Sequence, residues 1–112
     1  MNTRTGLWPW LLQRLSGLFL SAGVLIHFLT LHGSSAPPSY AEVASRLTSP
    51  GWVSFYLLLL AILIYHGLNG LWAISLDFNT PGPFRKGFKL TLYLVGMGTF
   101  LVGLVILNSF KP

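Results

Sequence analysis

The chain has 112 residues, of which 53% are hydrophobic and 8% are charged, whereas an ordinary soluble domain is about a quarter charged. This composition excludes a water-soluble globular domain and predicts a protein embedded in lipid. The net charge of +5 comes from basic residues beside apolar stretches, so no nucleic-acid partner is expected. The absence of cysteine excludes iron–sulfur clusters, thioether-linked haem and disulfides, and leaves histidine or methionine to hold any redox cofactor.

Three apolar stretches follow one another along the chain, at residues 10–31, 52–76 and 88–110. Each reaches the roughly 20 residues that a helix needs to cross ~30 Å of hydrocarbon. Because backbone groups in lipid must be bonded within their own segment, and because these stretches do not alternate like barrel strands, they are predicted to be helices. The prediction is an all-α membrane protein, a single transmembrane anchor domain of three helices over residues 1–112.

The first apolar stretch ends at small residues, Gly33-Ser34-Ser35-Ala36, a sequence also compatible with a signal-peptide cleavage site. A secretory core usually has about 7–15 apolar residues, and this stretch is longer, so we interpret it as a retained span. The loop that follows contains Ser39-Tyr40-Ala41-Glu42, a capping box that predicts a short surface helix ending near Leu47. Ser49-Pro50 has the residue types of a helix N-cap and first helical position, and predicts the start of the second span.

The loop between the second and third spans contains Asn79-Thr80-Pro81-Gly82-Pro83, whose residue types predict a tight turn. Basic residues are concentrated on this side of the membrane. They are Arg4, Arg14, Arg85, Lys86 and Lys89, with the last three filling the loop, against Arg46 and Lys111 on the other side. Since cytoplasmic loops carry the excess of basic residues, we expect a cytoplasmic N terminus and an external C terminus.

Two histidines lie inside predicted spans, His27 in the first and His66 in the second. An ionisable side chain is costly there and by default indicates function, and neutral imidazole is a standard haem ligand. Small residues share their helical stripes and leave room for a flat group; they are Ser16 and Gly23 beside His27, and Gly70 and Ala73 after His66. The alternative remains open that each histidine only forms a hydrogen bond across a helix interface, with the glycines as packing notches.

Arg14 and Asp77 stand at the predicted cytoplasmic ends of the first and second spans. One interpretation is an ion pair at the membrane boundary. The other is that Arg14 neutralises haem propionates or holds a quinone oxygen while Asp77 fixes the geometry. Asp77 shares a helical stripe with His66, which makes a structural link between them plausible.

Other residues are assigned to the membrane interface. His32 lies five residues beyond His27 and therefore on another helix face, where the span meets the external loop. Aromatic residues near the predicted span ends are assigned to headgroup anchoring, with no further function; they are Trp8, Trp10, Trp52 and Tyr56. Trp72 lies deeper, where packing is the preferred interpretation and contact with a ring system the alternative.

Two segments carry a resemblance to a known family. Gln13-Arg14-Leu15-Ser16-Gly17 resembles an Arg-x-Ser/Thr-Gly signature that opens a helix, and His27 follows the arginine by thirteen residues. Tyr65 to Trp72 is similar to a His-x-x-Asn-Gly-Leu-Trp segment, and Asp77-Phe78 stands where many members have Asp and an aromatic residue. From about Trp10 onward the chain thus resembles the haem-containing membrane-anchor subunits of succinate dehydrogenases and fumarate reductases.

The resemblance implies an electron-transfer subunit with two haems b and a quinone substrate. His66 would ligate the haem nearer the iron–sulfur subunit and His27 the more distant haem, as in the two-haem anchors, each opposite a histidine of a second small anchor chain. The flavoprotein and iron–sulfur subunits would form a catalytic head on the cytoplasmic side of a prokaryotic cell membrane. The chain alone would not act on succinate, and the direction of electron flow stays open.

One position departs from the family. Some quinone-reducing members have a serine four residues before the signature arginine, where this chain has Trp10. The departure argues against a quinone site of the serine type and leaves Arg14 as the candidate. Two functions of other classes remain as alternatives: a cofactor-free structural anchor or assembly subunit, and a small transporter subunit in which His66 relays protons.

Overall fold

A computed structural model describes residues 6–111 of the chain. Four α-helices and no strands are present in this range, and their bounds are α1 Leu7–His32, α2 Tyr40–Thr48, α3 Pro50–Ser75 and α4 Gly82–Ser109. Arg4, which contributes to the predicted topology, lies outside the described residues. The three long apolar helices confirm the predicted all-α membrane fold.

The long helices have 26, 26 and 28 residues, so each is about 40 Å long and can cross a bilayer. Large apolar side chains face outward along them; Leu18 is 71% exposed and Val105 is 69% exposed. Contiguous apolar surface of this extent is stable in lipid rather than in water. The chain is therefore a multi-pass membrane protein.

α3 is the central helix, with α1 packed on one side and α4 on the other. Glycines lie where the helices approach most closely. A Cβ atom added at Gly23 of α1 would lie 2.6 Å from Leu59 Cδ1, and one added at Gly96 of α4 would lie 2.8 Å from Leu68 Cδ1. Small residues at helix crossings allow close van der Waals packing, which holds helices together in lipid where the hydrophobic effect does not.

The residue types at the first positions of α1 and α3 are compatible with helix starts. α3 begins at Pro50 with Ser49 as N-cap residue, as predicted, although the Ser49 side chain forms no capping hydrogen bond. α1 begins at Leu7, three residues before the predicted span. Pro9 is tolerated inside it because the first N–H groups of a helix have no intrahelical partner.

The predicted basic loop is wrong in one respect. α4 begins at Gly82, six residues before the predicted third span, and its first turns contain the residues assigned to the loop: Arg85, Lys86 and Lys89. Pro83, in the first turn of α4, has a fixed φ that suits a helix start. The helix therefore extends past the apolar stretch. We call this end of the molecule, where α1 starts, α3 ends and α4 starts, the basic end.

α2 lies at the opposite end and confirms the predicted surface helix. Glu42 Oε2 accepts a hydrogen bond from the Ser39 backbone N–H at 2.6 Å, and Ser39 Oγ accepts one from the Glu42 N–H at 3.3 Å. The bond from the Ser39 backbone, helped by the Ser39 hydroxyl, lowers the pKa of the Glu42 carboxyl. The Tyr40 ring contacts Phe110 at the end of α4, with 6.1 Å between centroids, and α2 also packs against α3.

Candidate functional site

His66 of α3 faces Ser16 of α1, with 2.9 Å between His66 Nδ1 and Ser16 Oγ. Ser16 is a buried polar side chain, and its hydroxyl also donates to the Gln13 carbonyl oxygen at 3.0 Å. A hydroxyl has a single hydrogen, so Ser16 Oγ accepts the bond from His66 Nδ1–H. The neutral imidazole then carries its lone pair on Nε2, which is the form that ligates a metal.

The backbone at His66 is also tied to α1. Gln13 Nε2 donates to the His66 carbonyl oxygen at 3.1 Å, and Asn69 Nδ2 donates to Gln13 Oε1 at 2.8 Å. Asn69 Nδ2 also lies 3.2 Å from the Pro9 carbonyl oxygen. These amides, which the sequence analysis did not single out, fix the height of His66 relative to α1. The sequence signals for these amides were their place inside apolar spans and inside the two family-like segments, residues 13–17 and 65–72.

Gly17 leaves space for the His66 ring. A Cβ atom added at Gly17 would lie 3.1 Å from His66 Cε1, the carbon between the two ring nitrogens. A larger residue would press on the edge of the ring next to Nε2. Gly17 therefore belongs to the site, although in the sequence it stands out only as part of the Arg-x-Ser/Thr-Gly signature.

His27 of α1 faces Tyr56 of α3, with 3.1 Å between His27 Nδ1 and the Tyr56 hydroxyl oxygen. The two rings meet edge to face, with centroids 5.5 Å apart and planes at 88°. Tyr56 was assigned to headgroup anchoring, and its contact with His27 gives it a partner inside the protein instead. The signal available in the sequence was weak, because Tyr56 lies only four residues inside the predicted second span.

The two histidines lie at different depths. His66 is level with Ser16, and His27 is level with Tyr56. Ser16 and His27 are 11 positions apart on α1, which corresponds to about 16 Å along the helix axis. Tyr56 and His66 are 10 positions apart on α3, or about 15 Å. The imidazoles therefore occupy two layers of the bundle.

Arg14 lies at the basic end, about half a helical turn before Ser16. Its guanidinium carbon is 4.5 Å from the centroid of the Trp10 ring, a cation–π contact between residues one turn apart. Trp10 is the residue that replaces the serine of some family members, and here it holds the Arg14 side chain. Asp77 directly follows the C-cap residue of α3 and is exposed at the same end.

Among the remaining predicted residues, Gly23 and Gly70 lie between α1 and α3, and Trp72 lies between α3 and α4. A Cβ atom added at Gly70 would lie 3.1 Å from Gln13 Nε2. The space beside Gly70 is therefore filled by Gln13 of α1, just as the space beside Gly23 is filled by Leu59 of α3. Their role beside a haem stays a prediction. Trp72 lines an open groove of about 770 Å³ between α3 and α4, where Lys89 Nζ is 5.1 Å from the Trp72 ring centroid. Neither His27 nor His66 lines this groove.

The sequence model of the succinate dehydrogenase/fumarate reductase transmembrane subunits matches residues 1–106. The chain belongs to this family. It is 37% identical over 102 residues to a succinate dehydrogenase hydrophobic membrane anchor subunit of Archaeoglobus fulgidus, covering 89% of this chain and 86% of that protein. A subunit of the same description from Thermoplasma acidophilum is 27% identical over 96 residues, covering 84% and 78%.

A third relative is the succinate dehydrogenase 2 membrane subunit SdhC of Mycobacterium tuberculosis, which is 29% identical over 94 residues, covering 81% of this chain and 66% of that protein. The predicted family is thus confirmed, and the chain is a membrane-anchor subunit of the succinate dehydrogenase type. In this anchor subunit the two segments that carried the resemblance meet in space, because Gln13 and Ser16 bond to His66.

Proposed function

We propose that this anchor subunit binds haem b through His66 and a second haem b through His27, and that it contributes to quinone reduction by a succinate:quinone oxidoreductase. The observation that carries the proposal is the hydrogen bond between Ser16 Oγ and His66 Nδ1. It directs the Nε2 lone pair away from the serine. No residue within 6–111 forms a hydrogen bond with His66 Nε2, and an axial ligand needs that lone pair.

The residues around His66 fit the requirements of a haem ligand. Metal-binding histidines usually donate their other ring N–H to an oxygen, which fixes the tautomer and raises the basicity of the ligand. Ser16 accepts this bond, and Gln13 holds the His66 backbone. Bound haem b supplies a one-electron redox centre within the membrane. The protein residues hold and orient the ligand.

The proposal includes partners. Bis-histidine ligation requires two histidines for each iron, and this chain offers one in each layer. We therefore infer a second small anchor chain that supplies the opposite histidines and covers part of the exposed apolar surface. The flavoprotein and iron–sulfur subunits would dock at the basic end. That end would then face the cytoplasm of a prokaryote, with the N terminus cytoplasmic and the C terminus external.

Arg14 is the candidate for quinone binding on this chain. It lies at the basic end near the layer of His66, and the Trp10 ring holds its guanidinium at 4.5 Å. A guanidinium donates charge-assisted hydrogen bonds to a quinone oxygen or to a haem propionate. Asp77 lies at the same end and is proposed to support this arrangement.

The test is a reduced-minus-oxidised spectrum of membranes in which this chain is expressed with its partner subunits. A b-type haem band is expected, and membranes from cells without this chain serve as the control. An assembled complex that contains flavin but shows no such band would refute haem binding and leave the cofactor-free anchor as the function.

For Arg14, we expect substitution by Leu to lower the rate of quinone reduction by roughly 10- to 100-fold, since a hydrogen bond to a charged group contributes about 1.5–3 kcal/mol. Electron transfer from succinate to a soluble dye should fall much less, because the dye bypasses the membrane site. Arg46→Leu is the matched control, since Arg46 also lies over a tryptophan, Trp52, but at the opposite end. Equal loss in both assays would assign Arg14 to folding instead.

A further inference from the structure

The phenol of Tyr56 lies about 9 Å inside α3, counted from Pro50 at ~1.5 Å per residue. A hydroxyl at this depth is costly in lipid unless it has a partner. Its partner is His27 Nδ1 on α1, at 3.1 Å. This bond joins the same two helices as the bond between Ser16 and His66, but the roles of the helices are exchanged. In the layer of His66 the hydroxyl comes from α1, and in the layer of His27 it comes from α3.

The Tyr56 ring is held in place by its neighbours. It stacks on Trp52, with centroids 6.0 Å apart and planes at 26°. It also meets Phe55 at 5.1 Å and 70°. A ring packed in this way has little freedom to turn its hydroxyl away from His27, so the phenol oxygen is held beside Nδ1. This is what a residue that orients another side chain requires.

We propose that Tyr56 is the positioning residue of His27: its phenol oxygen accepts a hydrogen bond from Nδ1–H and so keeps the Nε2 lone pair available to the second haem. The inference rests on the proposed function, since it needs His27 to be a ligand. An acceptor on the other ring nitrogen raises the basicity of an imidazole ligand. A more basic ligand favours ferric over ferrous haem, so the bond lowers the midpoint potential of the His27-dependent haem.

The test is a redox titration of the purified complex carrying Tyr56→Phe, which removes the hydroxyl and keeps the ring. Both haems should be retained, and the midpoint potential of the component that depends on His27 should rise while the other stays unchanged. The low-temperature electron paramagnetic resonance signal of the same component should shift as well. Tyr93→Phe, which removes an exposed phenol from α4, should move neither component.

The outcomes separate this inference from the proposed function. Two unchanged components in Tyr56→Phe, with His27→Ala still losing one haem, overturn the role of Tyr56 and leave haem binding intact. Equal shifts of both components also overturn it, since they report a general loosening of the bundle. A His27→Ala complex that keeps its full haem content refutes His27 as a ligand, and the positioning role of Tyr56 with it.

Discussion

His66→Ala is expected to remove one b-type haem from the complex and to weaken the association of this chain with its partner anchor. The substitution deletes the proposed axial ligand and the hydrogen bond between His66 and Ser16 Oγ, while Ser16 keeps its bond to the Gln13 carbonyl oxygen. The loss of a typical hydrogen bond costs about 0.5–1.5 kcal/mol, in addition to the loss of the proposed iron–nitrogen bond between the chains. Haem-to-flavin ratio and subunit stoichiometry after purification measure the two effects. Unchanged haem content would exclude His66 as a ligand.

A milder substitution separates ligation from folding. Gly17→Ala keeps the imidazole but places a methyl group 3.1 Å from His66 Cε1, so the ring has to shift by a few tenths of an ångström. We expect reduced haem occupancy and a shifted midpoint potential with the complex still assembled. Gly98→Ala is the matched control, because a Cβ atom there meets nothing within 4 Å and the gain in helix propensity is the same. Equal effects of the two variants would contradict the proposed contact.

Much of the fold could be predicted from the sequence because a bilayer leaves few alternatives. Length and hydropathy set the three spans, and the capping box between Ser39 and Glu42 set α2. The start of α4 was predicted six residues late, because apolar content marks the part of a helix in lipid and not the whole helix. Lys89 lies within α4. A lysine is tolerated there because its long side chain can extend toward the membrane surface.

The site was predicted less completely. His66 stood out because ionisable residues are rare in apolar spans, whereas Ser16 was singled out only as a small residue on the stripe of His27. The contact between Ser16 and His66 depends on the position of α1 along the axis of α3. Side-chain hydrogen bonds of Gln13 and Asn69 fix the position of α1 along α3. This relative position cannot be predicted from the residue periodicity of either helix alone. Tyr56 was assigned only to headgroup anchoring, and its contact with His27 was missed for the same reason. A tyrosine near a span end is usually an interfacial anchor, and only the opposite helix reveals its partner.

The depth of the two histidines leads to the second large effect. Two histidines that bound one iron would both have to contact the same metal atom and would therefore lie close together. His27 and His66 are instead separated by about 15 Å along the helices, and each has its own hydroxyl partner, Tyr56 and Ser16. Sequence counting alone left this open, because the span limits were uncertain by several residues. The contacts between α1 and α3 allow the depths of the two histidines to be compared, because each histidine is level with a residue of the other helix.

His27→Ala is therefore expected to leave the haem at His66 in place and to lower the haem-to-flavin ratio of the purified complex from about two toward one. The layer around Ser16 and Gln13 does not include His27, so the spectrum and potential of the remaining haem should be those of the wild type. His32→Ala is the control, because His32 is the last residue of α1 and contacts Phe28 of the same helix. A wild-type ratio of one, or loss of all haem in His27→Ala with the subunits still assembled, would show that the two histidines depend on a single iron.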